Sequence, residues 1–561
     1  MATKLFSCKI SQMTEKTSIL IVQSNPQVGN IDKNKQIVIN HIESNKSDLI
    51  IFSELMLTGY PPEDLVLKPA FMEKVNNAIS DILNCSQNSN STIIIGTPFL
   101  EKSKLFNTAL VIKKGKILHK HHKMALPNYG VFDEKRIFSN GEQVSIIEFN
   151  GIKLGLFICE DIWVNDTIVE IDKNEIDLAV SLNASPFDIN KIEEREKKAL
   201  SFANSIDAPL IYVNQVGGQD EIVFDGSSFI CDQKKVISKF KYCVEESREY
   251  TFNINTKTFD VEEEVPFVSD KQDIVYSNLM LGLRDYVEKN KFPGVVIGIS
   301  GGIDSAFSAV VATDALGPER VKGILMPSQF TSEESNDDAN QLGKKLGIEL
   351  ISVSIKDIVN SYDSTLSNLF AGKEKDITEE NIQSRTRGAI LMAYSNKFGH
   401  MVVTNGNKSE VSVGYSTLYG DMCGGFSVVK DIYKSDLYKL SEWRNDNLPS
   451  FSAIKAKEVI PKNIISKEPT AELKEDQKDS DSLPPYDVLD KILYLLVEKE
   501  SSINEIISKG YEPSLVTKVQ NLLYNSEYKR RQAAPGVKIS ERNFGYDRRY
   551  PITNAFRDKE K

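Results

Sequence analysis

The chain has 561 residues, of which 40% are hydrophobic and 26% are charged, and its formal net charge is −11. A chain of this length is too long for one ordinary core, so we expect about two to four domains. The acidic balance argues against a nucleic-acid-binding protein, because phosphate backbones are bound by basic faces.

The cysteine pattern and the N-terminus indicate the cellular compartment. The six cysteines include no C-x-x-C pair, which suits a reducing environment and argues against a disulfide framework or a zinc ribbon. No apolar run is long enough to span a membrane, and the start "MATKLFSCKISQM" lacks the apolar core of a secretory signal. We therefore expect a cytoplasmic protein in which residues 1–16 form an N-terminal extension.

Residues 17–258 alternate between short apolar runs and amphipathic segments. The runs "LIIFSE", "KLGLFIC" and "LAVSLNAS" are typical of strands buried between layers, and "AFMEKVNNAISDIL" and "KIEEREKKALSFANS" have helical periodicity. This alternation predicts a layered α/β domain.

A second α/β domain is predicted over residues 275–561. The preceding acidic, proline-interrupted stretch, residues 259–274, is typical of a linker. Strand "GVVIGIS", a helix, strand "VKGILMP", helix "SNDDANQLGKKLG" and strand "ELISVSI" then follow one another, as in a parallel sheet with helical crossovers. Ligands of such sheets bind at the carboxyl ends of the strands.

A glycine loop, "SGGIDS" at residues 300–305, lies between the first strand of this domain and its helix. Backbone N–H groups at a helix start can hold a phosphate, and Ser300 and Ser305 can add hydroxyl donors. Asp304 would repel a phosphate unless it carries a cation such as Mg²⁺. The loop lacks the lysine of the common ATP-hydrolysing motif. By its local pattern alone it could also be a simple tight turn.

Cys159 is a candidate nucleophile because it ends an apolar strand in "GLFICEDIW". Its base could be Glu54, which ends another strand, or a histidine of the "HKHHK" cluster at residues 119–123. Lys123 could stabilise an oxyanion. Taken singly, a buried cysteine is more often a small core residue, and this histidine cluster favours a surface turn over a metal site.

Both motifs resemble known families. The "SGGIDS" loop resembles the SGGxDS loop of the ATP pyrophosphatases, which cleave ATP between the α and β phosphates. Glu54, Lys123 and Cys159 lie in stretches that resemble the nitrilase superfamily, whose fold is an αββα sandwich. The resemblance implies that Glu54 is the general base, that Lys123 stabilises the tetrahedral intermediate, and that Cys159 forms a thioester with a carboxamide.

The two motifs in one chain resemble the glutamine-dependent NAD⁺ synthetases, over about residues 17–551. This resemblance implies ATP-dependent amidation of deamido-NAD⁺ to NAD⁺ through an adenylate, with ammonia from glutamine and with AMP, pyrophosphate and glutamate as products. It implies Mg²⁺ with ATP, no tightly bound organic cofactor, an internal ammonia channel, and homo-oligomers that are dimers of ligase domains or, in some members, octamers. A nucleic acid or a membrane is not expected as a partner.

The same resemblance implies substrate-binding residues. For glutamine these are Tyr129, Ser185 and Lys191. For ATP they are Gly298, Ile299, Ser300, Gly301, Gly302, Ile303, Asp304, Ser305 and Asn405. For deamido-NAD⁺ they are Asn381, Glu410, Asp421 and Lys529. Asp304 and Glu410 would bind Mg²⁺.

Three further features carry expectations from the same family. Asn405 stands where members commonly have threonine, and its amide can still donate and accept hydrogen bonds. Lys430 resembles a family lysine near the phosphates. The charge-mixed stretch at residues 467–481 reads as a solvated loop by composition, whereas the resemblance implies a strap over the substrate.

Other functions fit parts of the chain. Amidotransferases that make GMP or asparagine also use an SGGxDS loop, but with a Cys–His–Glu triad or an N-terminal cysteine. Here residue 2 is Ala, and after Cys159 the next histidine is His400. A pyrophosphatase that modifies tRNA is disfavoured by the acidic charge. A first domain that only binds amides or holds an oligomer is a third alternative.

Overall fold

The computed structural model describes residues 15–164, 175–261, 270–475 and 477–559. The chain forms two compact units: the first holds residues 1–186, 191–217 and 224–268, and the second holds 187–190, 218–223 and 269–561. Most of the expected N-terminal extension and residues 262–269 of the expected linker lie outside the described residues. Within the described ranges, no helix is both long and apolar enough to cross a bilayer.

The elements up to residue 260 are as follows. The strands are β1 (Lys16–Gln23), β2 (Leu49–Ile51), β3 (Thr92–Glu101), β4 (Lys104–Lys113), β5 (Lys116–His122), β6 (Ser145–Phe149), β7 (Ile152–Ile158), β8 (Leu178–Asn183), β9 (Leu210–Asn214), β10 (Val216–Gln219), β11 (Ile222–Asp225), β12 (Phe229–Cys231), β13 (Val236–Lys239), β14 (Glu246–Asn253) and β15 (Thr258–Asp260). The helices are α1 (Ile31–Ser44), α2 (Pro69–Ser86) and α3 (Lys191–Ile206).

These strands form two sheets that pack face to face. One sheet has the order β15-β14-β1-β2-β3-β4-β5, the other has the order β13-β12-β9-β8-β7-β6, and β10 pairs with β11. Side chains alternate along β7: Leu154, Leu156 and Ile158 belong to the core shared with the first sheet, whereas Phe157 packs with residues of α3. Two sheets with helices outside them make the αββα sandwich that was predicted.

The second unit contains the remaining elements. Its strands are β16 (Val295–Gly298), β17 (Val321–Leu325), β18 (Glu349–Ser352), β19 (Met401–Thr404) and β20 (Phe426–Ser427). Its helices are α4 (Lys271–Lys289), α5 (Ile303–Leu316), α6 (Glu333–Leu346), α7 (Lys356–Leu366), α8 (Ile377–Phe398), α9 (Lys408–Val413), α10 (Lys434–Asp446), α11 (Lys462–Ser466), α12 (Tyr486–Val497), α13 (Ile503–Ser508), α14 (Pro513–Asn525) and α15 (Glu527–Arg530).

The sheet of the second unit is parallel throughout, with the order β18-β17-β16-β19-β20. The predicted fold class is therefore confirmed for this unit too. Apolar strands such as β16, in which Val295, Val296 and Ile297 are fully buried, form its centre. The chain leaves β16 into the "SGGIDS" loop and then enters α5, so the loop lies at the carboxyl edge of the sheet.

One local prediction was wrong. The histidine cluster is not a surface turn, because His119, His121 and His122 lie in β5, which pairs with β4. His121 is fully buried, and residues between apolar layers must satisfy their polar atoms internally.

Candidate active sites

The proposed catalytic residues of the first unit come together at the ends of three strands. Glu54 follows β2, Lys123 follows β5, and Cys159 directly follows β7. The Lys123 ammonium donates to Glu54 Oε1 at 2.7 Å. Glu54 is held further by Asn107, whose Nδ2 donates to Oε1 at 2.7 Å, and by the Ala184 N–H, which donates to Oε2 at 2.8 Å. The carboxylate is therefore fixed in position.

A second carboxylate, which the sequence did not single out, completes this centre. The Lys123 ammonium also donates to Glu134 Oε1 at 2.7 Å, and the Tyr60 hydroxyl donates to the same oxygen at 2.7 Å. Burial raises the pKa of Glu134. Burial alone would lower the pKa of Lys123, but Glu134 and Glu54 outweigh it and raise that pKa well above its usual value. Lys123 therefore stays cationic.

Cys159 has the backbone conformation of a residue at a sharp turn. Its φ is +46°, which is unfavourable for a side chain other than glycine, and it begins a short 3₁₀ turn over Cys159–Ile162. Burial and the nearby Glu54 raise the pKa of its thiol, while Lys123 acts in the opposite direction. The resting residue is therefore a protonated thiol that needs a base.

The expected glutamine-binding residues lie around this centre. The Tyr129 hydroxyl donates to Glu160, the neighbour of Cys159, at 3.0 Å. The Lys191 ammonium lies 4.4 Å from the centre of the Trp163 ring. Ser185 is buried, and Arg195 Nε donates to its hydroxyl at 3.0 Å.

The glycine loop of the second unit is built for close backbone approach. Gly301 has φ +80°, and a Cβ at this position would lie 2.4 Å from the Ser335 carbonyl oxygen, so only glycine fits. The Ser300 N–H donates to the Ser305 hydroxyl at 3.2 Å, and that hydroxyl donates to the Gly302 carbonyl at 3.0 Å. Gly302 is the N-cap of α5.

The loop borders a cavity of about 300 Å³ that adjoins a second one of about 190 Å³. The ATP-binding residues expected from the sequence all line one or both: Gly298, Ile299, Ser300, Gly301, Gly302, Ile303, Asp304, Ser305 and Asn405. Asn405 Nδ2 donates to the Gly298 carbonyl at 3.0 Å, which ties the end of β19 to the end of β16.

The two expected metal ligands face one lysine. Lys434 Nζ donates to Asp304 Oδ2 and lies 3.2 Å from Glu410 Oε1. Asn407 Nδ2 donates to the other Asp304 oxygen at 2.7 Å. Burial, followed by the charge of Asp304, raises the pKa of Glu410. Lys430, which the family pattern puts near the phosphates, lines the larger cavity and pairs with Glu221 at 2.7 Å.

Three residues expected to bind deamido-NAD⁺ converge on the segment 414–421, part of which lines the cavities. Asn381 accepts from the Thr417 hydroxyl at 2.8 Å, Asp421 accepts from the Thr417 N–H at 2.8 Å, and Lys529 donates to the Ser416 carbonyl at 2.7 Å. Burial raises the pKa of Asp421 to about 6 and lowers that of Lys529.

The stretch at residues 467–481 lies against the same cavities. Thr470, Ala471 and Glu472 line both of them. Glu472 Oε1 accepts from the Ser332 and Ser335 hydroxyls at 2.8 and 2.7 Å. These contacts fit the strap that the resemblance implies better than a solvated loop.

Sequence reasoning missed several groups in the two sites: Glu134, Arg387, Asn407, Lys434 and Glu472. Glu134 lies eleven residues after Lys123, and Arg387 lies in "ENIQSRTRG", but no spacing rule marks either one. Arg387 lines the larger cavity, and burial lowers its pKa to about 10.

The first unit is a sandwich that brings Glu54, Lys123 and Cys159 together. The second unit has a parallel sheet with a phosphate-type loop. Together in one chain they have the features of a two-domain amidotransferase. Two family models match the chain accordingly: carbon-nitrogen hydrolase over residues 19–240 and NAD synthase over residues 275–533. The chain belongs to the glutamine-dependent NAD(+) synthetase family.

Curated relatives match over nearly the whole length. The glutamine-dependent NAD(+) synthetase of Thermotoga maritima is 42% identical and covers 97% of this chain and 100% of its own. That of Acinetobacter baylyi is 41% identical and covers 96% of this chain and 98% of its own.

Solved structures agree with the fold. The glutamine-dependent NAD+ synthetase from Acinetobacter baumannii, in complex with ADP, is 39% identical with a TM-score of 0.77 and covers 97% of this chain and 100% of its own. A glutamine-dependent NAD(+) synthetase from Cytophaga hutchinsonii is 21% identical with a TM-score of 0.80, over 96% of this chain and 98% of its own. At that identity it supports the fold alone.

Proposed function

We propose that this chain makes NAD⁺ by amidating deamido-NAD⁺ at the expense of ATP, with nitrogen from glutamine. The observation that carries the proposal is the presence of both polar centres in one chain, each on the fold of its own family. The first unit is the glutaminase, and the second unit forms and aminates the activated carboxyl group.

In the glutaminase, Glu54 takes the thiol proton of Cys159 as the sulfur attacks the carboxamide carbon of glutamine. Lys123 donates to the oxyanion of the tetrahedral intermediate. When this intermediate collapses, the C–N bond breaks and the nitrogen leaves as ammonia with the proton that Glu54 returns. Glu54 then deprotonates a water molecule that cleaves the thioester, which yields glutamate and the free thiol.

Glu134 supports this chemistry through Lys123. The ammonium of Lys123 is buried and donates to both Glu134 and Glu54. Because Glu134 balances its charge, Lys123 stays protonated while Glu54 gains and loses a proton. Tyr129, Ser185 and Lys191 are assigned to glutamine on the strength of their places around Cys159 and of the family pattern.

In the second unit, the carboxylate of deamido-NAD⁺ attacks the α-phosphorus of ATP. The bond to the β-phosphate oxygen breaks, so pyrophosphate leaves and an adenylate remains. Ammonia then attacks the activated carbonyl carbon and releases one proton, and the bond from that carbon to the AMP oxygen breaks with its electrons going to AMP. Residues 298–305 and Asn405 are assigned to ATP, and Asn381, Glu410, Asp421 and Lys529 to the dinucleotide.

Asp304 and Glu410 fit a Mg²⁺ ion, because they present carboxylate oxygens to one point and Mg²⁺ prefers oxygen ligands. When bound, such an ion would neutralise the phosphates of ATP. The side chain between the two carboxylates is a cation, Lys434, which supports a preference for positive charge at this point. Asn407 would keep Asp304 oriented.

The second unit also carries several exposed apolar side chains. Helix α7 has no buried residue, and Ile358 and Tyr362 on it and Ile377 and Phe398 on α8 are exposed. The family pattern supports dimers formed through the second unit, and these side chains are candidate interface residues. Light scattering of the full chain is expected to give the mass of a dimer, and Ile358→Glu to shift it toward the monomer. A monomeric wild type would contradict the dimer.

The activity is tested by NAD⁺ formation from deamido-NAD⁺ and ATP, with glutamine or with ammonium as the nitrogen source. We expect the wild type to use both, and Cys159→Ala to use only ammonium. Cys231→Ala is the matched control, because Cys231 is an equally buried cysteine packed among other residues of the first unit. Inactivity of the wild type with both sources would refute the substrate assignment.

A further inference from the structure

Asp161 lies two residues after the nucleophile and has no role in the reaction described above. It belongs to the short turn Cys159–Ile162, and its side chain is fully buried. A buried carboxylate is costly unless it accepts several hydrogen bonds, so its partners indicate what it stabilises.

The carboxylate of Asp161 joins the two strand ends that carry Cys159 and Lys123. Oδ2 accepts from the Ile158 N–H at 2.9 Å, and Ile158 directly precedes Cys159. Oδ1 accepts from the N–H groups of Met124 and Ala125 at 2.9 and 2.8 Å, and these two residues directly follow Lys123. One rigid group therefore sets the distance between the backbone of the nucleophile and that of the oxyanion donor.

The backbone of Cys159 needs such support. Its φ of +46° lies in the left-handed region, which is disfavoured for residues with a Cβ and persists only when surrounding bonds enforce it. The bond from the Ile158 N–H holds the Phe157–Ile158 peptide, one residue before Cys159, at the end of β7 where the 3₁₀ turn begins.

His121 extends the arrangement from β5. Its Nε2 lies 3.2 Å from Asp161 Oδ2, and its Nδ1 lies 3.1 Å from the Ser145 hydroxyl. Because the carboxylate only accepts, we assign the Nε2–H as the donor to Asp161 and the Ser145 hydroxyl as the donor to Nδ1. His121 thereby orients the Asp161 oxygen that holds the Cys159 turn.

We propose that Asp161 is a positioning residue of the glutaminase: it holds Cys159 at working distance from Lys123, and His121 orients it. The proposal rests on the glutaminase role proposed above. A purely structural role would lower only the stability of the fold. A positioning role also predicts a lower glutamine-driven kcat in the enzyme that remains folded.

The test is Asp161→Asn, which keeps the volume but has only one acceptor oxygen. In this variant the amide N–H₂ must face either the Ile158 N–H or the N–H groups of Met124 and Ala125. Two donors then meet, and that hydrogen bond is lost. We expect the glutamine-driven kcat to fall about 10²-fold, the cost of a displacement of about 1 Å, with little change in KM for glutamine. Alkylation of Cys159 by iodoacetamide, followed by mass spectrometry of its peptide, should slow in parallel, and ammonium-driven NAD⁺ formation should keep its rate.

A pair of variants at His121 separates positioning from folding if Asp161→Asn does not fold. His121→Gln can place an N–H₂ group near the position of Nε2 and should keep most of the glutamine-driven rate. His121→Asn reaches only the position of Nδ1 and loses the donor to Asp161, so its kcat should fall several-fold further than that of His121→Gln.

Asp48→Asn is the matched control in the same unit. Asp48 also accepts a hydrogen bond from a backbone N–H, that of Ser18 at 2.8 Å. It lies before β2, at the opposite end of that strand from Glu54. This variant should keep the glutamine-driven kcat of the folded enzyme.

The proposal is overturned if Asp161→Asn loses only thermal stability while the folded enzyme keeps its glutamine-driven kcat, or if the two His121 variants behave alike. Failure of the underlying function would look different, because the wild type itself would then form no NAD⁺ from glutamine.

Discussion

The two active sites use buried charge in opposite ways. In the first unit, Glu54, Lys123 and Glu134 form a closed network in which each charged group already has its partners. In the second unit, Lys434 pairs with Asp304 and Glu410 at the wall of a cavity, and in the proposed mechanism these carboxylates would exchange this lysine for a metal ion. The first centre is thus already fully paired, whereas in the proposed mechanism the second centre exchanges an internal cation for its ligands.

The largest effect is expected where the preorganised network loses its base. Glu54→Gln keeps the shape but cannot take the Cys159 proton, so glutamine-driven NAD⁺ formation should fall by about 10²- to 10⁴-fold. Ammonium-driven formation should be unchanged, as should both rates in Glu148→Gln, which alters an exposed residue of β6. Glutamine-driven activity within a few-fold of wild type would show that Glu54 is not the base.

Each unit also contains a fully buried arginine–aspartate pair. Loss of either arginine should lower the free energy of unfolding, but only loss of the one in the first unit should also change KM for glutamine. Arg444 donates to both oxygens of Asp314 in the second unit, at 2.7 and 3.0 Å, away from the cavities. Arg444→Met leaves Asp314 as an uncompensated buried charge and should lower the free energy of unfolding by about 3–5 kcal/mol, as measured by denaturant titration.

Arg195 in the first unit pairs with Asp225 at 2.7 Å and donates to Ser185. Arg195→Met should therefore also raise KM for glutamine, whereas Arg444→Met should not. If both variants changed KM equally, the distinction between the two pairs would fail. As a further control, Lys439→Met removes an exposed pair with Asp436 and should cost less than about 1 kcal/mol.

A smaller effect is expected for metal binding at the second site. In Lys434→Met the lysine no longer competes for Asp304 and Glu410, so Mn²⁺ should bind about tenfold more tightly without nucleotide, which corresponds to about 1.4 kcal/mol. Electron paramagnetic resonance of free Mn²⁺ measures this affinity directly. Lys430→Met is the control, because Lys430 pairs with Glu221 instead. Equal Mn²⁺ affinity in the wild type and Lys434→Met would contradict the internal-cation account.

The smallest effect concerns pH. Burial raises the pKa of Asp421 to about 6, above the ordinary 3.8. The folded unit therefore holds this proton more firmly than the unfolded chain does, and this group's contribution to stability is lost as pH rises through about 6. If the carboxylate form binds deamido-NAD⁺, the affinity should weaken several-fold between pH 7 and pH 5 in calorimetry. Asp421→Asn should abolish that pH dependence. If the affinity of this variant varied with pH as in the wild type, another group would be its cause.

The sequence predicted the features that are local along the chain. The apolar strands that lead to Glu54 and Cys159, and the loop between β16 and α5, could be recognised because each depends on neighbours in sequence. The histidine cluster was assigned wrongly, since three histidines and two lysines within five residues look polar although β5 buries His121 between the layers.

The partners that complete the sites could not be predicted from the sequence. Lys434 lies 130 residues from Asp304, and Asp161 lies 36 residues from Ala125, so only the fold brings these pairs together. Lys430 and Lys434 are four residues apart, and composition does not tell which one faces Asp304 and Glu410. The contacts do, because Lys434 meets Asp304 and Lys430 meets Glu221.

The central claim is that one chain transfers the amide nitrogen of glutamine to deamido-NAD⁺, and that Cys159 is the nucleophile that releases this nitrogen. Glutamine labelled with ¹⁵N in its amide, supplied together with unlabelled ammonium, tests it by the mass of the NAD⁺ formed. We predict labelled NAD⁺ from the wild type and only unlabelled NAD⁺ from Cys159→Ala. Unlabelled NAD⁺ from the wild type, or labelled NAD⁺ from Cys159→Ala, would contradict the account.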